Sequence, residues 1–144
     1  MNPKALALQA RTRAFAKSVI KLCEGLPATA TADSIRDQLL DSSGSTDSNY
    51  RAACRARTRK EFIAKLGVVV EECDESLGWL ELLIDSSICT TDTAKSLAIE
   101  ADELVAIFVQ SEKTAKRNYE AELARRQAAL SRKSGQRKSR QQSR

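Results

Sequence analysis

The chain has 144 residues, with 24 Lys and Arg against 19 Asp and Glu, no histidine, and a formal net charge of +5. The length predicts one domain with room for an appendage. The lack of histidine excludes a Ser-His-Asp triad, a Cys-His dyad and any His-ligated metal, so a non-enzymatic protein with no metal and no cofactor is expected. Five glycines, two prolines and 4% aromatics, set against abundant Ala, Leu, Glu, Arg and Lys, favour an all-helical chain over a sheet protein.

The first residues, MNPKALALQARTRAF, reach arginine too soon for a signal-peptide core. No apolar run approaches the roughly 20 residues that span a bilayer. A cytoplasmic protein with no membrane partner is expected. The first helical segment covers about 6–25. Leu8, Phe15, Val19, Leu22 and Leu26 recur at helical steps, and Gly25 and Pro27 stop the pattern. The second covers about 31–57, with the stripe Ile35, Leu39, Ser42, Thr46, Asn49, Ala53. Its middle, DSSGSTDSN, has loop composition. The spacing nevertheless continues through it, which predicts one long helix, bent near Gly44, in close contact with another helix over small side chains.

The third segment opens on Thr58 and Glu61, a T-x-x-E capping box. It continues as Phe62, Leu66, Val69, Cys73, Leu77, Leu80, Ile84. The fourth begins near Thr91 or Asp92 and carries Leu97, Ala101, Leu104, Phe108 and Ser111, with Tyr119 and Leu123 as a weak continuation. Four amphipathic helices with short connections predict an antiparallel up-down-up-down four-helix bundle over residues 1–124. Ile63, Val70, Leu82 and Leu83, and Ile99, Val105, Ile107 and Val109, widen the apolar faces of the last two segments. That surplus predicts self-association. Cys23, Cys54, Cys73 and Cys89 form no C-x-x-C pair, and buried thiols are the expectation.

Charge is unevenly distributed. Residues 125–144 hold Arg125, Arg126, Arg132, Lys133, Arg137, Lys138, Arg140 and Arg144 and no acid, a charge of +8. The remaining residues carry 16 bases and 19 acids, or −3. The composition after Arg125 predicts a disordered basic tail. Without an aromatic residue after Tyr119, it suits sequence-blind phosphate contacts, with an anionic membrane surface or plain solubilisation as alternatives. Within the bundle, residues 48–60 contain Arg51, Arg55, Arg57, Arg59 and Lys60 and no acid. Arg51, Arg55 and Arg59 would share a face if the helix continued through them. Clustered cations of this kind are what phosphate binding requires. The other reading is a solvated or intersubunit face paired with Asp47 or Glu61. Glu72 and Glu75, with Glu71 and Asp74 nearby, are expected to pair with Arg or Lys of a neighbouring helix or subunit. Asn49 is expected to be buried and hydrogen-bonded, and Trp79 to be partly buried.

Leu26-Pro27, Gln38-Leu39-Leu40, Ser42, Ser45, Asn49-Tyr50-Arg51, Ala53, Glu61-Phe62-Ile63, Lys65-Leu66, Glu72, Glu75 and Trp79-Leu80 occur in this order. Over roughly residues 8–112 this resembles the bacterial four-helix-bundle proteins of 23S rRNA intervening sequences. More distantly it is similar to the accessory variability proteins of diversity-generating retroelements. Ala52 stands where that family often has an acid, and Thr58 where it often has serine. The resemblance implies a ring-like homopentamer associated with RNA or a nucleoprotein complex. The resulting expectation is an oligomeric bundle that binds RNA or DNA electrostatically or scaffolds a nucleoprotein complex. The alternative is a protein-interaction module that docks a reverse transcriptase or another cytoplasmic partner.

Overall fold

Four side chains set where the helices begin. Asn2 accepts a hydrogen bond from Lys4 N (2.9 Å), Thr29 from Ala32 N (3.1 Å), Thr58 from Glu61 N (3.0 Å) and Thr91 from Ala94 N (3.2 Å). Each bond satisfies a backbone donor that the first turn leaves unpaired. In the computed structural model, which describes residues 2–143, the helices are α1 (Pro3–Glu24), α2 (Ala30–Cys54), α3 (Arg59–Asp85) and α4 (Asp92–Gln142). No strand occurs among the described residues.

Short connections bring successive helices together. At the first, Arg36 on α2 donates from Nε to the carbonyl of Cys23 (3.0 Å) and from Nη2 toward that of Leu26 (3.4 Å). It thereby adds side-chain donors to carbonyls at and just beyond the end of α1. At the third, Ser87 adopts a left-handed φ of 58°, and the Ile88 and Cys89 amides donate back to the Leu83 carbonyl. Packing runs α1 on α2, α2 on α3 and α3 on α4, with a lighter α1–α4 contact. Arg11 clasps that last seam, its Nε 2.7 Å from Glu100 and its Nη2 2.6 Å from Glu103.

The predicted stripes form the core. Phe15, Val19, Leu39, Leu66, Val69, Cys73, Leu80, Leu104 and Phe108 are buried, and the Tyr50 and Phe108 rings lie 5.2 Å apart. Leu83, expected among the surplus apolar residues, belongs to this core instead. Leu82 and Ile99 remain 46% and 64% exposed. Ile63, Val70, Val105, Ile107 and Val109 are half-buried. Cys23 and Cys73 are buried, and burial pushes their thiols up to about 11 and about 12. Cys54 and Cys89 are only half-buried.

α2 runs unbroken through DSSGSTDSN. The hydroxyls of Ser42, Ser43 and Thr46 and the amide of Asn49 donate to carbonyls three or four residues earlier. The polar groups are therefore satisfied inside the helix rather than competing with it. Their small size lets α2 and α3 approach, and the Ser76 hydroxyl donates to the buried Ser42 Oγ at 2.8 Å.

The basic tail departs from expectation. Residues 125–142 continue α4 as helix, and every described residue from Leu123 onward is exposed. Arg144 lies outside the described residues. Two local causes outweigh the low hydrophobicity that predicts disorder. Arg, Gln, Ala, Leu and Lys are good helix formers, and Glu122 pairs with Arg126 four residues on.

The Ser42–Ser76 layer yields a stability prediction. Ser76→Val should lower stability by about 1–3 kcal/mol, because it adds volume where two helices meet closely and removes the donor to Ser42. Ser76→Ala should cost only about 1 kcal/mol. Urea unfolding of the two variants measures the difference.

Candidate nucleic-acid interface

α2 ends at Cys54 and α3 begins at Arg59, so the cations of 48–60 straddle a connection instead of sharing one helix face. The cause is Thr58. Its side chain caps α3, and the Glu61 carboxylate reaches back to accept from Arg57 N at 3.0 Å. Arg51 stands in the last turn of α2, where a cation complements the negative end of the helix. Arg55 is the residue after α2, Arg57 lies in the connection, and Arg59 and Lys60 open α3. All five are exposed.

The structure brings Arg51, Arg55 and Arg57 together around a shallow open depression, whose rim also includes Arg13, Asp47, Glu61 and Lys65. Arg13 Nε pairs with Asp47 at 2.9 Å. Glu61 is engaged by the backbone of Arg57. Among the described residues, the guanidinium groups of Arg51, Arg55 and Arg57 form no ion pair. Neither carboxylate expected to neutralise the patch pairs with these three side chains.

Arg59 departs from the group. Its Nε lies 2.8 Å from Glu122 Oε2 on α4, an ion pair rather than an aligned hydrogen bond. Glu122, its side chain 23% exposed, also pairs with Arg126. One carboxylate thus ties the start of α3 to the root of the α4 extension. Arg125, Arg126, Arg132, Lys133, Arg137, Lys138 and Arg140 extend from that root, all exposed. The arginine connection and the basic extension consequently share one end of the molecule.

Sequence reasoning missed Arg13, Lys65 and Glu122. The first two join the depression through the register between helices, which no pattern within one helix reports. Glu122 and Arg126 carry an i,i+4 signal, but its importance depends on Arg59 arriving from α3.

The acids of α3 behave differently. Glu72 has no Arg or Lys partner among the described residues. Desolvation, then Glu75, Glu71 and Asp41, raise its pKa above the usual carboxylate value. Glu75 accepts from Trp79 Nε1 at 3.3 Å, and Trp79 is half-buried. Asn49 is half-buried and donates to the Ser45 carbonyl at 2.9 Å.

Residues 4–110 match the family model of the 23S rRNA-intervening sequence proteins. A crystal structure of a protein of unknown function from the S23 ribosomal protein family of Bacteroides thetaiotaomicron is also similar. It is 27% identical, has a TM-score of 0.68, and aligns over 74% of this chain and 98% of its own. No curated protein matches the chain significantly.

Glu72 supplies a pH prediction. Its raised folded-state pKa means that the charged form opposes folding, and the penalty is relieved as pH falls through that pKa. Glu72→Gln should therefore raise the melting temperature near pH 7, an advantage that shrinks toward about pH 4. Paired thermal melts across that range test the sign.

Proposed function

We propose that this chain, which belongs to the 23S rRNA-intervening sequence protein family, is a non-enzymatic bundle that binds RNA or DNA electrostatically or scaffolds a nucleoprotein complex. One observation carries the reading. Arg51, Arg55 and Arg57 stand without carboxylate partners among the described residues, at the end from which the basic extension departs. Phosphates are the complementary ligand, since each one neutralised by a cation releases counterions. The family name, with its link to 23S rRNA, gives separate but weak support for RNA. On this reading Arg51, Arg55, Arg57, Arg59, Lys60 and the cations of the extension are the binding residues, with Arg59 held back by Glu122. The hydroxyl of Ser42 bonds to the Leu39 carbonyl and to Ser76, and the Asn49 amide donates to the Ser45 carbonyl, which supports structural roles for both.

The fold carried by this function is an antiparallel up-down-up-down bundle. The short connections and the closing α1–α4 contact support that topology. The bundle works as a homo-oligomer, a pentamer by family resemblance, in the cytoplasm. No helix of the structure is long and apolar enough to cross a membrane. Exposed Leu82 and Ile99 support self-association, and a ring would repeat the arginine depression and add avidity.

The same two side chains favour a second reading, a module docking a reverse transcriptase or another protein. Light scattering separates the two: a closed oligomer supports the first and a monomer the second. For the first, replacing Arg51, Arg55 and Arg57 together by Gln should weaken binding to duplex nucleic acid. It should also reduce the slope of log K against log salt by about 3. The melting temperature should fall by no more than a few degrees, because all three side chains are exposed and only Arg51 supports a helix end. An unaltered salt slope would remove this patch from the interface.

A further inference from the structure

The extension of α4 is one-sided. At 3.6 residues per turn, Arg126, Lys133, Arg137 and Arg140 share an arc of roughly 60° of the helix surface. Arg125 and Arg132 form a second row about 100° away. Ala129 and Gln136 lie between the two rows. Of the described cations in 125–142, only Lys138 stands on the opposite side, with Ala128, Ser131 and Gly135. The segment contains no acid. A disordered tail would have no such face.

We infer that this extension inserts as a helix into the major groove of B-form DNA. Lys133, Arg137 and Arg140 of one row and Arg125 and Arg132 of the other meet the phosphates of the two strands, Arg126 being held by Glu122 at the root, and Ala129 and Gln136 face the base edges. The inference rests on the nucleic-acid reading above and sharpens it to a duplex.

Dimensions favour DNA. An α-helix with side chains is about 10–12 Å across, and the B-form major groove is about 12 Å wide. The major groove of A-form RNA is too narrow and deep for side chains to read. Residues 125–142 span about 27 Å, long enough for the cations of each row to meet successive phosphates.

Other occupants fit the helix poorly. Leu123 and Leu130 are seven residues apart and exposed, as in a coiled-coil seam. The next position of that seam is Arg137, and its companion row is Arg126, Lys133 and Arg140. Two copies would therefore face each other with like charges. Two leucines also make no apolar face for lying on a membrane. The extension begins beyond residue 110, where the family match ends, so it adds to the shared bundle rather than repeating it.

Gly135 permits a test that leaves every charge in place. It sits within the exposed helix, and a Cβ there would meet nothing within 4 Å. Gly135→Pro should break the extension, while Gly135→Ala should strengthen it. Circular dichroism and thermal melts would confirm lost helix with an intact bundle. Fluorescence anisotropy would then compare the full-length protein on a DNA duplex of about 20 base pairs, the RNA duplex of the same sequence, and the DNA single strand, at one ionic strength. The DNA duplex should bind about tenfold tighter than either of the others, and Gly135→Pro should erase that preference while Gly135→Ala keeps it. Equal affinity for all three, a preference for the RNA duplex, or a silent Gly135→Pro overturns groove insertion while leaving electrostatic binding in place. No binding to any of the three at low salt overturns both.

Discussion

The arrangement of this molecule turns on Thr58. Helical spacing runs almost without interruption from α2 into α3, and one capping side chain divides it. The Thr58 hydroxyl takes the Glu61 amide, and the Glu61 carboxylate takes the Arg57 amide. A cap of this kind contributes only about 1 kcal/mol, against about 1.5–3 kcal/mol for each large apolar side chain buried, such as Leu39 or Leu66. Its importance is positional. By fixing where α3 begins it lets the two apolar stripes face each other, and it leaves a run of arginines at the bend. Arg51, Arg55 and Arg57 remain around the depression, and Arg59 is sent to the fourth helix.

Charge is thereby separated along the bundle. The middle of the α2–α3 pair gathers Asp41, Glu71, Glu72 and Glu75 beside a neutral, hydroxyl-lined contact. The bend gathers cations. Asp47, Glu61 and Glu122 are the acids set among them, and Glu122 binds Arg59 and Arg126 at once. It restrains the extension at its root and keeps its direction tied to the end of the bundle.

Much of this was legible in the residues. The stripes around Phe15, Val19, Leu66, Val69 and Phe108 set the helices and core, because apolar periodicity records which face is buried. Thr58 and Thr91 marked two helix starts through local chemistry alone. The unbroken α2 was legible because its spacing outlasted its loop-like composition. The tail was not: its low hydrophobicity spoke for disorder, while intrinsic helix propensity and the Glu122–Arg126 pair prevailed. The depression was legible only in part. Arg51, Arg55 and Arg57 are close in sequence, whereas Arg13 and Lys65 arrive through inter-helix register. Arg59 would have shared a face with Arg51 and Arg55 only if one helix had passed through the capping residue, and its partner Glu122 comes from another helix.

The extension also decides the sign of the molecule. Residues 1–124 carry −3 and residues 125–144 carry +8. The cations are exposed along a helix that nothing covers, and Lys and Arg are the residues at which trypsin-like proteases cut. One cleavage near Arg125 would leave the bundle's buried core untouched and turn a cationic protein into an anionic one. The two forms would part on an ion-exchange column and repel opposite kinds of surface. Loss of about a seventh of the chain would thus reverse the long-range field while leaving the buried core in place.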